Sequence, residues 1–311
     1  MNCKKIVLLV LGFFVSFVGF SQDAKERNQE NINVNKFRQL YQEFSSPNMF
    51  RTASGAPGPA YYQQQADYKM DIELDDENKR IYGSETITYT NNSPDNLEYL
   101  WVQLDQNIRK KDSPSLLIDG GGVSPAYLPS GFTKEFLTDS FDGVFNIEYV
   151  VDENKNPLKH FVNQTMMRVD LPNILKSGES FSFSIKWWYN IQDHVNQDGR
   201  SGYESFDKDG NRVYIIAQFF PRMAVYNEVE GWQNYQFWGD GEFALPFGNY
   251  DVKITVPSDH ILDATGELQN RKNVFSKEMI KRYNKAKKTY DKPVMIVTQA
   301  EAEEVEKRVS K

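Results

Sequence analysis

The chain has 311 residues and a formal net charge of −7, with 40% hydrophobic and 14% aromatic residues. This apolar content is enough for one large domain with a real core. The acidic balance excludes the basic stripe that nucleic-acid-binding domains carry.

The N-terminus is typical of a secretory signal peptide. Lys4 and Lys5 precede the apolar run Ile6–Val18, and small residues follow, so we expect residues 1–21 to be removed before Gln22. The run is too short to span a bilayer, although a retained anchor is the alternative, and the mature chain has no further candidate span. We therefore expect an exported protein, periplasmic or extracellular. Its one cysteine, Cys3, lies inside the signal, which excludes thiol catalysis, disulfides and thiolate zinc sites.

Residues 22–60 are predicted to form a lead-in helix followed by a linker. Phe37, Leu40, Tyr41 and Phe44 recur at helical spacing, and a stretch rich in Pro and Gly follows up to residue 60.

From residue 61 the hydrophobic period changes to two. Tyr68, Met70, Ile72 and Leu74 alternate with charged residues, and "RIYGSETITYTN" follows after a polar turn, which predicts a hairpin. Five further segments carry the pattern: "LEYLWVQLDQN", "FNIEYVVDENKNPLKHFVNQTMMRVDL" as strand–turn–strand, "SFSFSIKWWYN", "RVYIIAQFF" and "NYDVKITVP". The prediction is a mainly β domain over residues 61–271, with antiparallel multi-stranded sheets in a saddle or sandwich arrangement, each with one wet face.

Residues 272–311 are predicted to be helical. "SKEMIKRYNKAKKTY" has helical periodicity, and Thr298 with Glu301 forms a capping box for a last polar helix. We interpret this segment as an insertion or a truncated end.

No complete catalytic constellation is present. The motifs H-E-x-x-H and G-x-S-x-G do not occur. His194 lies near Asp193 and Asp198, but nothing else there has metal-ligand spacing, which favours a polar loop. "DKDGNR" fails the calcium-loop pattern and is predicted to be a hairpin turn. The residues predict no catalytic group and no metal ligand within this chain.

The strand order resembles the N-terminal domain of the aminopeptidase N family of zinc metallopeptidases, in its bacterial branch. The resemblance rests on the first strand, on Ile81, Gly83, Ile87, Tyr89 and Asn91 in the second, and on "AQFFPRMAVYN", "FGNYDVKITVP" and "ATGEL" in that order. It covers about residues 60–270. Phe220–Tyr226 departs from the better-known Phe-Pro-Cys-Phe-Asp-Glu-Pro motif of that family.

The resemblance implies a domain that walls the substrate cleft of a peptidase acting on peptide N-termini. The zinc and its ligands would belong to a catalytic domain absent from these residues, so this chain alone would bind no zinc and be inactive. Gln218 and Phe219 would be the substrate-binding residues, Gln218 near the free α-amino group. Phe219, Phe220 and Trp232 would either shape that wall or pack as core.

A different class of function stays open from the residues alone. A secreted β-sandwich with exposed aromatic side chains also suits binding of a glycan or a partner protein. Trp187 and Trp188 are adjacent in a predicted strand, so they point to opposite faces and one of them is a candidate for exposure.

Overall fold

The computed structural model describes residues 47–118, 126–133, 141–195, 200–208, 210–239, 241 and 243–309. The predicted signal peptide and the predicted lead-in helix lie outside these residues. The chain divides into two units, Met1–Tyr61 and Tyr62–Lys311. In the described part of the first, the Asn48 side chain accepts hydrogen bonds from the amides of Phe50 and Arg51, both at 2.8 Å, and closes a turn.

The second unit is mainly β, as the sequence predicts. In chain order its first strands are β1 (Gln65–Asp75), β2 (Arg80–Thr90), β3 (Leu97–Gln103), β4 (Asn146–Asp152), β5 (His160–Asn163), β6 (Met166–Leu175) and β7 (Ser180–Asn190). The strands that follow are β8 (Gly202–Ser205), β9 (Arg212–Ile215), β10 (Arg222–Met223), β11 (Tyr226–Asn227), β12 (Gly231–Trp232) and β13 (Tyr250–Thr255).

The helical elements are short. A 3-10 helix (Asp105–Arg109) follows β3, and the α-helices are α1 (Ser115–Ile118), α2 (Pro129–Phe132), α3 (Arg271–Val274), α4 (Lys277–Ala286) and α5 (Gln299–Val309). None of the helices in the described residues has the length and apolarity that crossing a bilayer requires.

Two larger sheets share one core. The first has the strand order β13-β1-β2-β7-β4 and the second β10-β3-β6-β5, and two hairpins, β8–β9 and β11–β12, stand beside them. The core cluster draws buried residues from both sheets, such as Ile87 and Trp187 from the first and Leu100 and Val169 from the second. Apolar burial between two facing sheets is what stabilises such an arrangement.

The predicted β1–β2 hairpin is confirmed, with Met70 paired to Glu85 at its centre. Tyr68, Met70, Ile72 and Leu74 are all buried. The β7 alternation is confirmed too, because Trp187 is fully buried whereas Trp188 is partly exposed on the other face.

Gly83 is required by the ring of Trp187. The two residues are paired across β2 and β7. A Cβ atom on Gly83 would lie 2.2 Å from Cζ2 of Trp187, so only glycine leaves room for the indole. The glycine of the predicted second strand therefore serves core packing.

Three details of the predicted strands are wrong. β13 pairs with β1 in parallel rather than antiparallel fashion, and Tyr250 and Val252 stay 47% and 39% exposed because β13 is the last strand of its sheet. The predicted strand over residues 212–220 ends at Ile215. The strand–turn–strand of residues 145–171 is three strands, of which β4 joins the first sheet and β5 and β6 the second.

The C-terminal helices form where the sequence predicts them. The Ser276 side chain caps α4 by accepting from the Met279 amide at 3.2 Å. The capping box is also formed, since Glu301 accepts from the Thr298 amide at 2.9 Å. Arg282 of α4 donates to Glu301 at 2.6 Å and so ties the two helices together.

Glu85 is a carboxylic acid buried in the core between the two sheets' apolar residues. Its side chain is 2% exposed, and neither carboxyl oxygen has a hydrogen-bond partner among the described residues. Its neighbours across the sheet are Met70 and Ile185. Burial raises the pKa of the Glu85 carboxyl well above its ordinary value, so the folded protein holds this group in its neutral form.

This carboxyl makes stability depend on pH. Below the ordinary pKa of 4.5 the group is neutral in the folded and the unfolded chain, and its burial carries no ionisation cost. Above it the unfolded chain releases the proton while the folded chain keeps it, so the free energy of unfolding should fall by about 1.4 kcal/mol per pH unit until the folded pKa is reached. Urea unfolding of Glu85→Gln between pH 5 and 8 should lack this slope. Glu73→Gln, at an exposed position of β1, is the control that should keep it.

Candidate functional site

Gln218 has a backbone conformation that is unusual for its residue type. It lies just after β9, and its φ is 51°, in the left-handed region. The other described non-glycine residues with positive φ are Lys79, Lys155 and Gln164, each in a turn next to a strand end. For a residue with a Cβ atom this conformation costs roughly 1–2 kcal/mol, so the surrounding structure must hold it.

Gln106 holds the two carbonyls at this bend. Its Nε2 donates to the carbonyl oxygen of Ala217 at 3.2 Å and to that of Gln218 at 3.0 Å. Gln106 is 2% exposed and belongs to the 3-10 helix that follows β3. One side-chain amide therefore fixes two successive peptide groups, which a strand ladder would otherwise pair.

Ser201 closes the same bend from the opposite strand. Its Oγ lies 2.8 Å from both the amide nitrogen and the carbonyl oxygen of Ala217. Ser201 directly precedes β8, and Ala217 follows β9, so this contact forms the base of the β8–β9 hairpin.

Arg109 and Gln192 join Gln106 to Ser201. Arg109 donates one N–H to the side-chain oxygen of Gln106 at 3.1 Å and another to that of Gln192. The Gln192 amide in turn donates to the Ser201 carbonyl. We call these four residues, which with Ala217 form a closed circle of hydrogen bonds, the Gln106 ring. Burial lowers the pKa of the Arg109 guanidinium from its ordinary value. Its two partners in the ring are neutral side-chain amides, so no carboxylate of the ring neutralises its charge.

The hairpin is anchored a second time along its length. Asp76, in the β1–β2 turn, accepts from the Tyr214 hydroxyl at 2.6 Å and from Arg212 at 3.0 Å. His260 Nε2 lies 3.9 Å from the same carboxylate. These contacts lower the pKa of Asp76 against the opposing effect of its burial. The β8–β9 hairpin that precedes Gln218 is thus held at its base and in its middle.

The aromatic side chains of this stretch pack against the core. Phe219 and Phe220 meet edge to face at 5.1 Å, and Phe220 meets Tyr68 in the same way at 5.5 Å. Trp232 lies 5.2 Å from the ring of Tyr226. All of them are partly buried against the core cluster. Phe219, one of the two predicted substrate-binding residues, therefore keeps one side for packing and another accessible.

A buried ion pair stands next to this bend. Arg222 donates its Nε to Asp105 at 2.9 Å, and the two side chains are 14% and 2% exposed. Burial raises the pKa of Asp105, and the Arg222 charge acts against that rise. Arg222 occupies the segment that departs from the better-known family motif, so the departure has a structural use: it joins β10 to the 3-10 helix.

The Gln218 side chain itself is available for a ligand. It is partly exposed, and its amide makes no hydrogen bond to another residue in the described part of the chain. The carbonyls of Ala217 and of Gln218 itself are held by Gln106, so the side chain starts from a set position. A carboxamide of this kind offers one acceptor oxygen and two donor hydrogens.

Within the described residues no group of three or more His, Cys, Asp or Glu side chains is arranged so that it could hold a metal ion. His194 faces Glu204 at 3.4 Å, and Asp198 lies outside the described residues. His160 contacts the Leu158 carbonyl at 3.0 Å. These residues do not fit a zinc site.

Comparison with solved structures finds M1 zinc metallopeptidases at low similarity. One from Deinococcus radiodurans is 12% identical with a TM-score of 0.33, over 69% of this chain and 38% of that chain. A mutant from the same organism, bound to a Tyr-Ser-Ala substrate, is 14% identical with a TM-score of 0.32, over 69% and 39% of the two chains. A two-domain mutant bound to L-arginine is 13% identical with a TM-score of 0.32, over 67% and 37%.

The chain therefore spans well under half the length of these solved structures. No protein-family model matches the sequence, and no curated protein does.

The family resemblance predicts Gln218 and Phe219 as substrate-binding residues, whereas nothing in the sequence pointed to the residues that hold the bend at Gln218. Gln106, Arg109, Gln192 and Ser201 are common residue types, and up to 112 positions separate the partners. Gln106 lies in "LDQN", which the sequence predicts as the end of a strand and the structure shows as a 3-10 helix. The polarity of Asp105, Gln106 and Asn107, directly after the apolar strand β3, was the one indication in the sequence that these residues leave the strand.

Proposed function

We propose that this chain is the substrate-wall domain of an exported zinc aminopeptidase, an enzyme that hydrolyses peptide bonds at free N-termini. The zinc and its ligands would be supplied from outside these residues, by a catalytic domain that is the main partner of this one. The ordered motifs of the sequence support this assignment. The observation that carries it is the geometry of Gln218. Its backbone is in the left-handed conformation and is held there by Gln106, while its side-chain amide makes no hydrogen bond to the other described residues.

The chemistry of such an enzyme explains the arrangement. An exopeptidase must recognise the cationic amine of its substrate with fixed acceptors, since a fixed acceptor positions the adjacent bond for cleavage. The Gln218 amide oxygen would accept from this ammonium group. The partly exposed ring of Phe219 would supply an apolar wall beside it.

The alternative, binding of a glycan or a partner protein by exposed aromatics, has less support. Trp187 is fully buried, and Trp188 lies under the Arg80 guanidinium at 4.6 Å from the ring centroid. The face of Trp188 that a sugar would stack on is thus shared with a cation. A direct discriminating test is whether the reading frame continues beyond residue 311 into an H-E-x-x-H motif.

Gln218→Ala in the enzyme that contains this chain is expected to lower kcat/KM by about 10- to 100-fold. The reason is that a hydrogen bond to a charged group is worth about 1.5–3 kcal/mol. The melting temperature should change little, because a partly exposed amide without protein partners supports few contacts. Hydrolysis of alanyl and leucyl p-nitroanilides measures the effect. An unchanged kcat/KM in a folded Gln218→Ala enzyme would remove this residue from the substrate site.

A further inference from the structure

The Gln106 ring is more elaborate than a hairpin base requires. A serine hydroxyl between two strands would close the β8–β9 hairpin by itself. Here a buried glutamine from a separate element reaches both carbonyls of the bend, and an arginine holds that glutamine and links it to a second glutamine. Gln106, Gln192 and Ser201 are 2%, 2% and 5% exposed.

The direction of each hydrogen bond in this ring is fixed. Arg109 has only donors, so it sets the Gln106 oxygen as the acceptor and leaves the Gln106 NH2 to face Ala217 and Gln218. The same cation orients Gln192, whose NH2 then faces the Ser201 carbonyl. Because the guanidinium cannot accept, neither glutamine can flip its amide without losing its bond to Arg109.

We propose that Gln106 is a positioning residue for Gln218: oriented by Arg109, it holds the Gln218 peptide in the left-handed conformation and thereby sets where the Gln218 side chain begins. Gln106 itself is buried and touches no substrate. This inference rests on the proposed function for its consequence in catalysis, whereas its structural part concerns this chain alone.

The chain offers a matched control three residues away. Gln103 is also 2% exposed, but neither atom of its amide has a hydrogen-bond partner among the described residues. Gln103→Met and Gln106→Met therefore make the same chemical change at equal burial. They differ in whether hydrogen bonds to the bend are lost.

The first measurement uses this chain and hydrogen exchange followed by mass spectrometry. Gln106→Met should accelerate exchange of the peptide covering residues 212–220 by about tenfold relative to the peptide covering β1 and β2, as expected for loss of one or two hydrogen bonds. Gln103→Met should leave this ratio unchanged. Equal exchange in both variants would overturn the proposal. If Gln106→Met does not fold, Gln106→Glu, which keeps the size of the side chain but removes the two N–H donors to the bend, takes its place with the same expectation.

The second measurement uses the enzyme that contains this chain. Trialanine and N-acetyl-trialanine are compared as competitive inhibitors, and the inhibition constant of N-acetyl-trialanine divided by that of trialanine gives a ratio that reports recognition of the free amine. Gln106→Met should lower this ratio about tenfold, and adding it to Gln218→Ala should lower it no further, since both act through one contact.

The possible failures are distinguishable. A ratio unchanged by Gln218→Ala would contradict the proposed function. A ratio lowered by Gln218→Ala but not by Gln106→Met would leave that function standing and overturn the positioning role. Loss of stability alone would change the melting temperature without changing this ratio.

Discussion

Replacing Trp187 by alanine is expected to lower the free energy of unfolding by about 3–5 kcal/mol, the usual cost of emptying a core position of an aromatic ring. Trp187 is fully buried. It meets the Phe145 ring edge to face at 5.3 Å and stacks with Tyr189 at 6.0 Å. Denaturant unfolding of the variant and of the natural chain measures the difference.

Two further substitutions test the reason for this loss. Trp188→Ala, on the wet face of the same strand, should cost within about 1 kcal/mol, because its contact with Arg80 is partly exposed. Gly83→Ala should destabilise the natural chain but much less the Trp187→Ala chain, since its Cβ would collide with the indole. A Gly83→Ala cost that is the same in both backgrounds would show that the two residues do not share this space.

Breaking the ion pair of Asp105 and Arg222 is expected to lower the free energy of unfolding by as much as Trp187→Ala does. Asp105→Leu or Arg222→Met alone should lower the free energy of unfolding by about 3–5 kcal/mol, because each leaves a buried charged group without its partner. The double variant Asp105→Leu with Arg222→Met should recover most of this loss, since neither charge of the pair then stays buried. Thermal unfolding of the three variants gives the coupling energy.

An exposed pair provides the reference for this measurement. Lys159 and Asp170 lie 3.3 Å apart, with side chains 87% and 29% exposed. Lys159→Ala should cost less than about 1 kcal/mol, as surface pairs usually do. If the buried pair coupled no more strongly than this one, the 3-10 helix would not depend on Arg222 for its attachment to β10.

The long strands were predictable because their pattern is local. In β1 and β7 the alternation of apolar and polar residues predicts which face is buried, and the burial seen in the structure alternates in the same way. Gly83 was visible as a glycine in a strand, but its cause, the Trp187 ring, lies 104 positions away and needs the sheet register. The bounds of β9 failed for a related reason: its residues suit a strand, and the bend at Gln218 is imposed by Gln106 from outside.

The candidate site was predictable only in part, and only through family resemblance. The residues themselves gave Gln218 no distinction over any other glutamine in a loop. Its left-handed backbone follows from tertiary hydrogen bonds, which no propensity encodes. The edge position of β13 was hidden for the same reason, since apolar alternation indicates a strand but not which neighbour it takes.

The parallel pairing of β13 with β1 has a consequence for how the protein is made. Tyr250 of β13 pairs with Tyr68 of β1. Gly248, two residues before Tyr250, passes so near the Ala66 carbonyl that a Cβ would lie 1.6 Å from its oxygen. During synthesis β1 leaves the ribosome long before its neighbour exists. Until about residue 255 has been translated, one edge of β1 presents unpaired backbone groups to any other extended chain. During synthesis the free edge of β1 is therefore open to pairing with a wrong strand until β13 covers it.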